Sequence, residues 1–448
     1  MDRRFLIRSH VLVLLLLMFN YRSFTELGGT KPVEGAINET HVNTIFFNYL
    51  TSYSEMERFD SVMESFIRRW QVAGASVALV KHGKLVYAKG YGLADKENSE
   101  PVQPTHLFRI ASISKLVTAV GIMKLVESNQ LSLNDTVFGE NGILNDPVFL
   151  NISDRRVCQI TVANLLDHTG GWSTRLPDPM FMTRHIGETM NCAGPPTLDD
   201  VIRYVLKHRR ISYKPGTRSS YSNFGYCVLG KIIEKRTGMA YENYIRYAVL
   251  APIGIYDMRL AGNTLDERTN NEVKYYSESD KILACDGRNE YVDRQYGGND
   301  IRLLGAAGGW LASSISLMKL ATAIDGWNDR PDILNHETVM TMTCRDTLRT
   351  YPFGWKGVRE DNWWRTGSFS GTSALLYKQS DSISWVVILN SSTWKGASFP
   401  NYIHANMKKC LSTVNQWPVY DLFQYRKPES IQTIRFSTVE PLIRCNTL

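Results

Sequence analysis

Apolar runs near both ends of the chain predict the strands of one sheet. Residues 72–80 and 85–91 read as two strands joined by a tight turn at residues 82–83. Far along the chain, residues 373–378 and 383–389 read as a second pair of strands. We therefore expect the two ends of the chain to supply one antiparallel sheet.

Helical patterns fill the rest of the chain. The stretch that follows Ser112 is apolar almost all round, which is typical of a buried helix. A second helix is predicted over 224–237, stopped by Gly238, and a closing helix over 402–411. Because residues 130–300 are mainly helical and rich in loops, we predict an α+β fold, with helices flanking the sheet and a helical lobe inserted.

The buried helix begins with a serine and a lysine three residues apart. Positions i and i+3 share a helix face, so Ser112 and Lys115 can touch. A serine hydroxyl needs an adjacent base to act as a nucleophile, and a lysine in an apolar setting can supply it. Ser-x-x-Lys recurs at 316–319 and 392–395, and the common alternative for each match is a solvated serine beside a surface lysine. Only Ser112 begins an apolar helix.

Tyr221 and Asn223 follow a Pro-Gly turn and begin the helix over 224–237. A tyrosine beside a lysine ammonium becomes more acidic and can act as a general base. The alternative is a tyrosine that packs its ring on the start of a helix. Tyr241 and Asn243 repeat the spacing inside a helical pattern, where no turn would present them.

A cationic side chain followed by small residues precedes the strand at 373–378. Arg365 can supply a fixed positive charge for a carboxylate or a developing anion, since its guanidinium does not titrate. Thr366 and Gly367 leave room for a substrate beside the strand. The amide of Ser368 is placed to donate into an oxyanion hole. The alternative interpretation is an ordinary strand entry.

Taken together, these three motifs resemble the serine β-lactamase and penicillin-binding-protein family, particularly class C β-lactamases, related esterases and D-Ala-D-Ala-type peptidases. The resemblance covers roughly residues 57–412. It extends to the segments 160–171 (similar to Leu-Leu-x-His-Thr-Ser-Gly), 251–254 with Met258, 307–313 and 351–355.

The resemblance implies a serine hydrolase that works through an acyl-enzyme. Ser112 would be the nucleophile, and Lys115 and Tyr221 a shared proton-accepting network. Asn223 would position the lysine or a substrate amide, and the amides of Ser112 and Ser368 would hold the oxyanion. His168, in the segment 160–171, is expected to pack a loop.

Two departures from the family pattern narrow the expected chemistry. Arg365 stands where β-lactamases usually carry lysine, and Ser-Asp-Asn is absent. We therefore expect cleavage of an ester or a peptide bond rather than a lactam. The alternative is a catalytically silent binding or scaffold protein that keeps the fold.

The first residues have the pattern of a targeting segment. Arg3, Arg4 and Arg8 precede a nine-residue apolar run that is too short to span a bilayer. We predict a signal peptide at 1–25, a catalytic domain at 45–412 with the lobe at about 130–300, and a C-terminal extension at 413–448. The protein is then secreted or lumenal, without membrane insertion after the signal is removed.

Asparagine and cysteine usage fits that compartment. Four Asn-x-Ser/Thr acceptors would carry glycans in a eukaryotic host: Asn38, Asn134, Asn151 and Asn390. Seven cysteines predict disulfides with one thiol unpaired or joined to another chain. Cys227, inside an apolar helix, is the expected free thiol.

Composition limits the remaining function classes. With 448 residues and 43% hydrophobic content the chain can bury a large core. A net charge of +7 without a basic stripe gives no indication of nucleic-acid binding. No motif requires a metal or a nucleotide cofactor, so the expected partner is a small-molecule or peptide substrate, and the oligomeric state is left open.

Overall fold

The computed structural model describes residues 47–278, 281–344 and 351–424 of the chain. The predicted signal peptide, Asn38, Cys445 and residues 425–448 of the predicted extension lie outside these ranges.

Strands come from the beginning, the middle and the end of the chain. Their bounds are β1 Gly74–Lys81, β2 Lys84–Asp95, β3 Glu100–Pro101, β4 Phe108–Arg109, β5 Arg259–Leu260, β6 Ile282–Leu283, β7 Tyr291–Val292, β8 Trp310–Ala312, β9 Gly357–Arg359, β10 Asn362–Phe369, β11 Thr372–Lys378 and β12 Ile383–Leu389. The main sheet is antiparallel, in the order β3-β2-β1-β12-β11-β10-β9. Because β1 pairs with β12, the prediction that the two chain ends share one sheet is confirmed.

Helices flank this sheet and build the lobe. The α-helices of the described residues are α1 Glu57–Trp70, α2 Ser114–Glu127, α3 Val162–Leu166, α4 Thr183–Met190, α5 Leu198–His208, α6 Asn223–Thr237, α7 Tyr241–Ile245, α8 Gly305–Gly308, α9 Ser314–Thr322, α10 His336–Thr343 and α11 Phe399–Leu411. Helix α6 ends before Gly238, whose φ of 68° matches the predicted helix stop. None of the helices in these ranges is long and apolar enough to cross a bilayer.

The central strands are buried on both faces, which explains their continuous apolar sequence. Successive residues of a strand point to opposite faces, so Val77 and Leu79 pack in the core under α1 and α11, whereas Ala78 and Val80 pack in the core that contains α2. The turn between β1 and β2 has a positive φ at both His82 and Gly83, as a two-residue hairpin of type I′ requires.

One sequence expectation about the sheet was incomplete. The segment that contains Arg365 is the separate strand β10, antiparallel to β11, instead of a lead into it. Strand β9 pairs only with Asn362, Trp363 and Trp364. Among the described residues, no other strand pairs with this edge of β10, so it is open from Arg365 onward.

The beginning of the predicted C-terminal extension packs on the domain. The carboxylate of Asp421 accepts a hydrogen bond from the amide of Leu85 and forms an ion pair with Arg330. Residues 413–424 therefore include contacts with β2 and with the connection between α9 and α10. The predicted end of the catalytic domain at residue 412, with an extension from residue 413, stays a prediction.

Candidate active site

Ser112 lies on the 3-10 turn Ala111–Ile113 that leads into α2. Ala111 has a φ of 47°, the left-handed region that a side chain other than glycine's rarely occupies. Such strain is found at functional turns where the surrounding structure holds it. Ser112 is half-buried, whereas its neighbours Ala111 and Ile113 are buried. The turn thus presents one hydroxyl to the cleft.

Lys115 is fully buried, and its ammonium group has an acceptor for each of its three protons. The Nζ atom donates to Ser112 Oγ at 3.3 Å, to Asn223 Oδ1 at 2.7 Å and to the carbonyl oxygen of Ala307 at 2.6 Å. Burial lowers the pKa of Lys115 and Arg365 lowers it further, whereas Tyr221 opposes both. Because all three protons are bound, this geometry suits a positively charged Lys115.

Tyr221 is the second group on the nucleophile. Its hydroxyl donates to Ser112 Oγ at 2.8 Å. Burial acts to raise the pKa of Tyr221, but the charges of Lys115 and Arg365 outweigh it and lower the pKa to about 8. The phenol can therefore exchange a proton near neutral pH. The predicted contact of Ser112, Lys115 and Tyr221 is present in the structure.

Arg365 faces the nucleophile's turn, and its role as a carboxylate anchor stays a prediction. The side chain is 1% exposed. Its Nε donates to the carbonyl oxygen of Ser112 at 2.7 Å, and its Nη2 donates to Tyr221 Oη at 3.1 Å. Two of its nitrogens are therefore committed to the nucleophile's own turn and to the phenol, and the charge acts on Tyr221.

The residues that follow Arg365 have different surroundings because strand side chains alternate between faces. A Cβ on Gly367 would collide with the carbonyl oxygen of Ile110, so Gly367 allows β10 to approach the nucleophile turn. Thr366 lies on the opposite face, in a cavity that Trp364 and Tyr377 also line. The predicted substrate-binding role of Thr366 therefore concerns its backbone along β10 and stays a prediction. Ser368 lies at the open edge of β10.

His168 packs against the catalytic phenol without touching Ser112. Its ring lies 4.5 Å from the ring of Tyr221, centroid to centroid, and its Nδ1 accepts from the amide of Ser222 at 3.2 Å. Burial and the charges of Arg365, Lys115 and Lys356 hold the pKa of His168 well below its usual value. The imidazole is therefore neutral, and the geometry agrees with the predicted packing role.

Sequence reasoning missed several groups around the site. Asp178 accepts from the amide of Asn223 at 2.7 Å and so fixes the start of α6. Lys356 is half-buried, donates to Tyr351 Oη at 3.2 Å and lies 5.3 Å from the centroid of the Tyr221 ring. Asp178-Pro179 carries a turn signal. Nothing in the local sequence indicates the position of Lys356 or the carbonyl group of Ala307.

The structure also shows what the other occurrences of Ser-x-x-Lys and Tyr-x-Asn do. Ser316 is fully buried and donates to Asp257 at 2.6 Å, and Lys319 donates to the carbonyl oxygen of Gly254. Ser392 accepts from the amide of Gly371 at 3.0 Å. Tyr241 is buried against Trp310. These are structural contacts remote from Ser112.

Three of the glycosylation acceptors lie in the described residues. Asn134 and Asn151 are exposed, so glycosylation there stays a prediction. Asn390 is fully buried, and its Nδ2 donates to the carbonyl oxygens of Leu93 and Lys274. A glycan needs that nitrogen in solvent, so the prediction for Asn390 was wrong.

The predicted disulfides find no support in the part of the chain that the structure describes. Its cysteines are all free thiols: Cys158, Cys192, Cys227, Cys285, Cys344 and Cys410. Burial raises the pKa of Cys227 to about 12, which keeps it a thiol at neutral pH.

The antiparallel sheet, the inserted lobe and the Ser112–Lys115–Tyr221 cluster together have the arrangement expected of the β-lactamase fold. A family model described as Beta-lactamase matches residues 59–403. The chain belongs to the Beta-lactamase family.

Curated relatives match about half of the chain. Protein flp of Staphylococcus aureus (strain N315) is 30% identical over 226 residues, which is 50% of this chain and 41% of that protein. Esterase EstB of Burkholderia gladioli is 28% identical over 212 residues, 46% of this chain and 52% of EstB. The chain thus spans about half the length of the curated relatives it matches.

Solved structures share the fold over most of the chain. The octameric penicillin-binding protein homologue from Pyrococcus abyssi has a TM-score of 0.57 at 26% identity, covering 78% of this chain and 76% of that one. D-amino acid amidase from Ochrobactrum anthropi SV3 has a TM-score of 0.62 at 21% identity, covering 81% and 100%. At 21% identity, the similarity to the amidase establishes the fold alone.

Proposed function

We propose that this protein is a serine hydrolase that cleaves an ester or amide bond through an acyl-enzyme on Ser112. The observation that carries the proposal is the pair of hydrogen bonds that Tyr221 Oη and Lys115 Nζ make to Ser112 Oγ. A serine hydroxyl becomes a nucleophile when a positioned base accepts its proton. The similarity to an esterase by name supports carbonyl substrates of this kind.

The reaction has two steps with the same proton carrier. Deprotonated Tyr221 takes the proton of Ser112 Oγ while the oxygen attacks the substrate carbonyl carbon. Tyr221 then gives this proton to the leaving oxygen or nitrogen as the carbonyl-to-leaving-group bond breaks. Water attacks the ester on Ser112, its proton passes to Tyr221, and Ser112 Oγ recovers a proton as the acid leaves.

Lys115 and Arg365 supply charge in this scheme. The ammonium of Lys115 lies against Ser112 Oγ and favours its alkoxide, and the guanidinium of Arg365 favours the phenolate of Tyr221. Asn223 orients Lys115 through its Oδ1. The amides of Ser112 and Ser368 are the proposed oxyanion donors.

The test is labelling and turnover with the Ser112→Ala variant. We expect a fluorophosphonate probe to label the wild-type protein at Ser112, and short-chain 4-nitrophenyl esters to be hydrolysed. Ser112→Ala should lose both labelling and turnover with an unchanged melting temperature, because only one half-buried oxygen is removed. Ser392→Ala, at a serine of the same local spacing, is the matched control and should keep both.

A wild-type protein that is neither labelled nor active would favour a silent binding protein.

We also propose that the protein acts outside the cytoplasm. The support for this proposal is the charged and apolar pattern of the first residues.

A further inference from the structure

A cavity of about 240 Å³ opens beside the catalytic phenol. Tyr221, Ser222 and Asn223 form one wall, next to the groups that act on Ser112. The lobe segment 172–179 also lines the cavity and contributes an indole, a leucine and two prolines: Trp172, Leu176, Pro177 and Pro179. The lining is thus mainly apolar, although Ser173, Thr174 and Asp178 of the same segment also contribute to it.

Trp172 owes its position to two glycines. A Cβ on Gly170 would lie 2.7 Å from Trp172 Cζ3, so any side chain at 170 would displace the indole ring. Gly171 has a φ of 97°, and a Cβ there would lie 2.5 Å from the carbonyl oxygen of Tyr213. The ring of Phe224 supports the indole at 5.0 Å in an edge-to-face contact. Gly170 stands where the similar family segment has serine.

Two exposed apolar side chains of the lobe lie at this cavity and near the end of β10. Leu176 is 51% exposed and Phe181 is 45% exposed, although both are large apolar side chains. Phe181 lies 6.4 Å from Phe369, ring centroid to ring centroid, at the end of β10. Exposed apolar side chains that cluster beside a catalytic group mark a binding surface.

The charged groups of this cavity are largely engaged with the protein. The carboxylate of Asp178 accepts from the amides of Met180 and Asn223. Arg209 Nη2 contacts Met182 Sδ at 2.8 Å. Arg210, which is exposed, lies at the cavity's outer boundary. The carboxylate of Asp178 is therefore already bound by backbone amides, and Arg209 and Arg210 supply the positive charge of the lining.

We propose that this cavity binds the acyl group of the substrate and that Trp172 selects acyl groups that carry one aromatic ring or an apolar group of similar size. This inference rests on the proposed function. A cavity of about 150 Å³ holds benzene, so 240 Å³ accommodates a phenyl ring and its linking carbon. The acyl group stays bonded to Ser112 after the leaving group departs. A cavity that encloses the acyl group therefore holds it during both acylation and deacylation.

The test compares two esters with the same leaving group, 4-nitrophenyl acetate and 4-nitrophenyl phenylacetate. We expect the wild-type protein to prefer phenylacetate in kcat/KM by at least about tenfold. Trp172→Ala should bring this ratio close to one, chiefly through a loss of kcat/KM for phenylacetate. Trp172→Phe, which keeps a smaller ring, should give an intermediate ratio and covers the case that Trp172→Ala does not fold. Trp394→Ala removes an exposed tryptophan that packs on Trp70 and should leave the ratio unchanged.

Gly170→Ala keeps the indole of Trp172, but the added methyl group displaces the ring. This variant should lower the phenylacetate-to-acetate ratio of kcat/KM at least about threefold. A wild-type ratio near one, or a ratio that Trp172→Ala does not change, would overturn the inference and leave the hydrolase intact. Methyl acetate and benzyl acetate differ only in the leaving group. If Trp172→Ala changed their ratio of kcat/KM as strongly as it changes the phenylacetate-to-acetate ratio, the cavity would bind the leaving group, and the inference would also be overturned. Turnover that persists in Ser112→Ala would refute the proposed function itself.

Discussion

Lys115 and Tyr221 both reach Ser112 Oγ, yet their surroundings give them different tasks. Three acceptors surround the ammonium of Lys115, which suits a fixed charge. Tyr221 has a pKa lowered to about 8 by Lys115 and Arg365 against the effect of burial, which suits a group that exchanges a proton near neutral pH. The base of the proposed reaction is therefore Tyr221, and the two residues depend on each other.

That dependence can be measured with Lys115→Ala, Tyr221→Phe and the double variant. Each single change should lower kcat by about 10³-fold or more, and the double variant should be little worse than the poorer single one. In the wild-type protein kcat/KM should rise with pH around a midpoint near 8, because the active form of Tyr221 is deprotonated. Losses that multiply in the double variant would show that the two residues act independently.

Arg365 belongs to the same unit through its contact with Tyr221 Oη. Arg365→Ala should lower kcat alike for a neutral ester and for a carboxylate-bearing ester, and should move the pH midpoint upward, because the phenolate loses a neighbouring charge. Arg365→Lys should restore part of the loss. Arg359→Ala, an exposed arginine at the end of β9, serves as the control. A KM effect confined to the carboxylate ester would instead return Arg365 to the role of a substrate anchor.

At the scale of elements, the site is a junction between β10 and the turn that precedes α2. Arg365 holds the carbonyl group of Ser112 from one side of this junction. Gly367 sets the separation of the two elements, since a Cβ there would collide with the carbonyl oxygen of Ile110. The lobe adds the start of α6, which carries Asn223, and the cavity wall that contains Trp172.

Gly367→Ala therefore tests the junction. The added methyl group must push β10 away from the turn, and a displacement of about 1 Å at a reacting group can cost about 10²-fold in rate. We expect a loss of that order in kcat together with a lower melting temperature. Gly187→Ala is the matched control, because its Cβ would meet only Pro196 Cδ at 3.6 Å within a helix. Full activity in Gly367→Ala would mean that the close approach is not needed.

At the scale of the whole molecule, a buried carboxyl group couples stability to pH. Asp325 is 5% exposed, and burial together with Asp332 raises its pKa to about 7, although Trp327 and Lys378 act in the opposite direction. Lys378 lies between the rings of Trp327 and Trp363, so this cluster joins the end of α9 to the sheet. A raised pKa in the folded state means that the proton stabilises the fold.

The contribution of Asp325 is thus fully present below about pH 4 and is lost as pH rises through 7. Asp325→Asn mimics the protonated form and should raise the melting temperature at pH 8 by on the order of 1–3 °C, with a smaller difference at pH 5. Thermal unfolding at both pH values measures this effect, and Asp381→Asn, at an exposed carboxylate, is the control. A gain of equal size at both pH values would contradict the assignment to Asp325.

Much of this protein follows from local sequence patterns. Strands β1, β2, β11 and β12 read as apolar runs because they are buried on both faces, and α6 ends where Gly238 permits a left-handed residue. Ser112 and Lys115 are recognisable because they lie three residues apart at the start of an apolar helix, and Tyr221 because it follows a Pro-Gly turn at the start of another. Such features depend on neighbours in the chain, and the sequence is sufficient for them.

Other features depend on which distant residue lies opposite, and only the tertiary structure decided them. Arg365 points to Ser112 and Thr366 points away because β10 is a strand of its own, packed against the nucleophile turn. Asn390 carries a complete acceptor tripeptide but lies in the core. The carbonyl group of Ala307 and the indole of Trp172 reach the site from segments remote in sequence. Contacts of this kind arise from the packing of elements, and the local pattern of apolar and polar residues does not predict them.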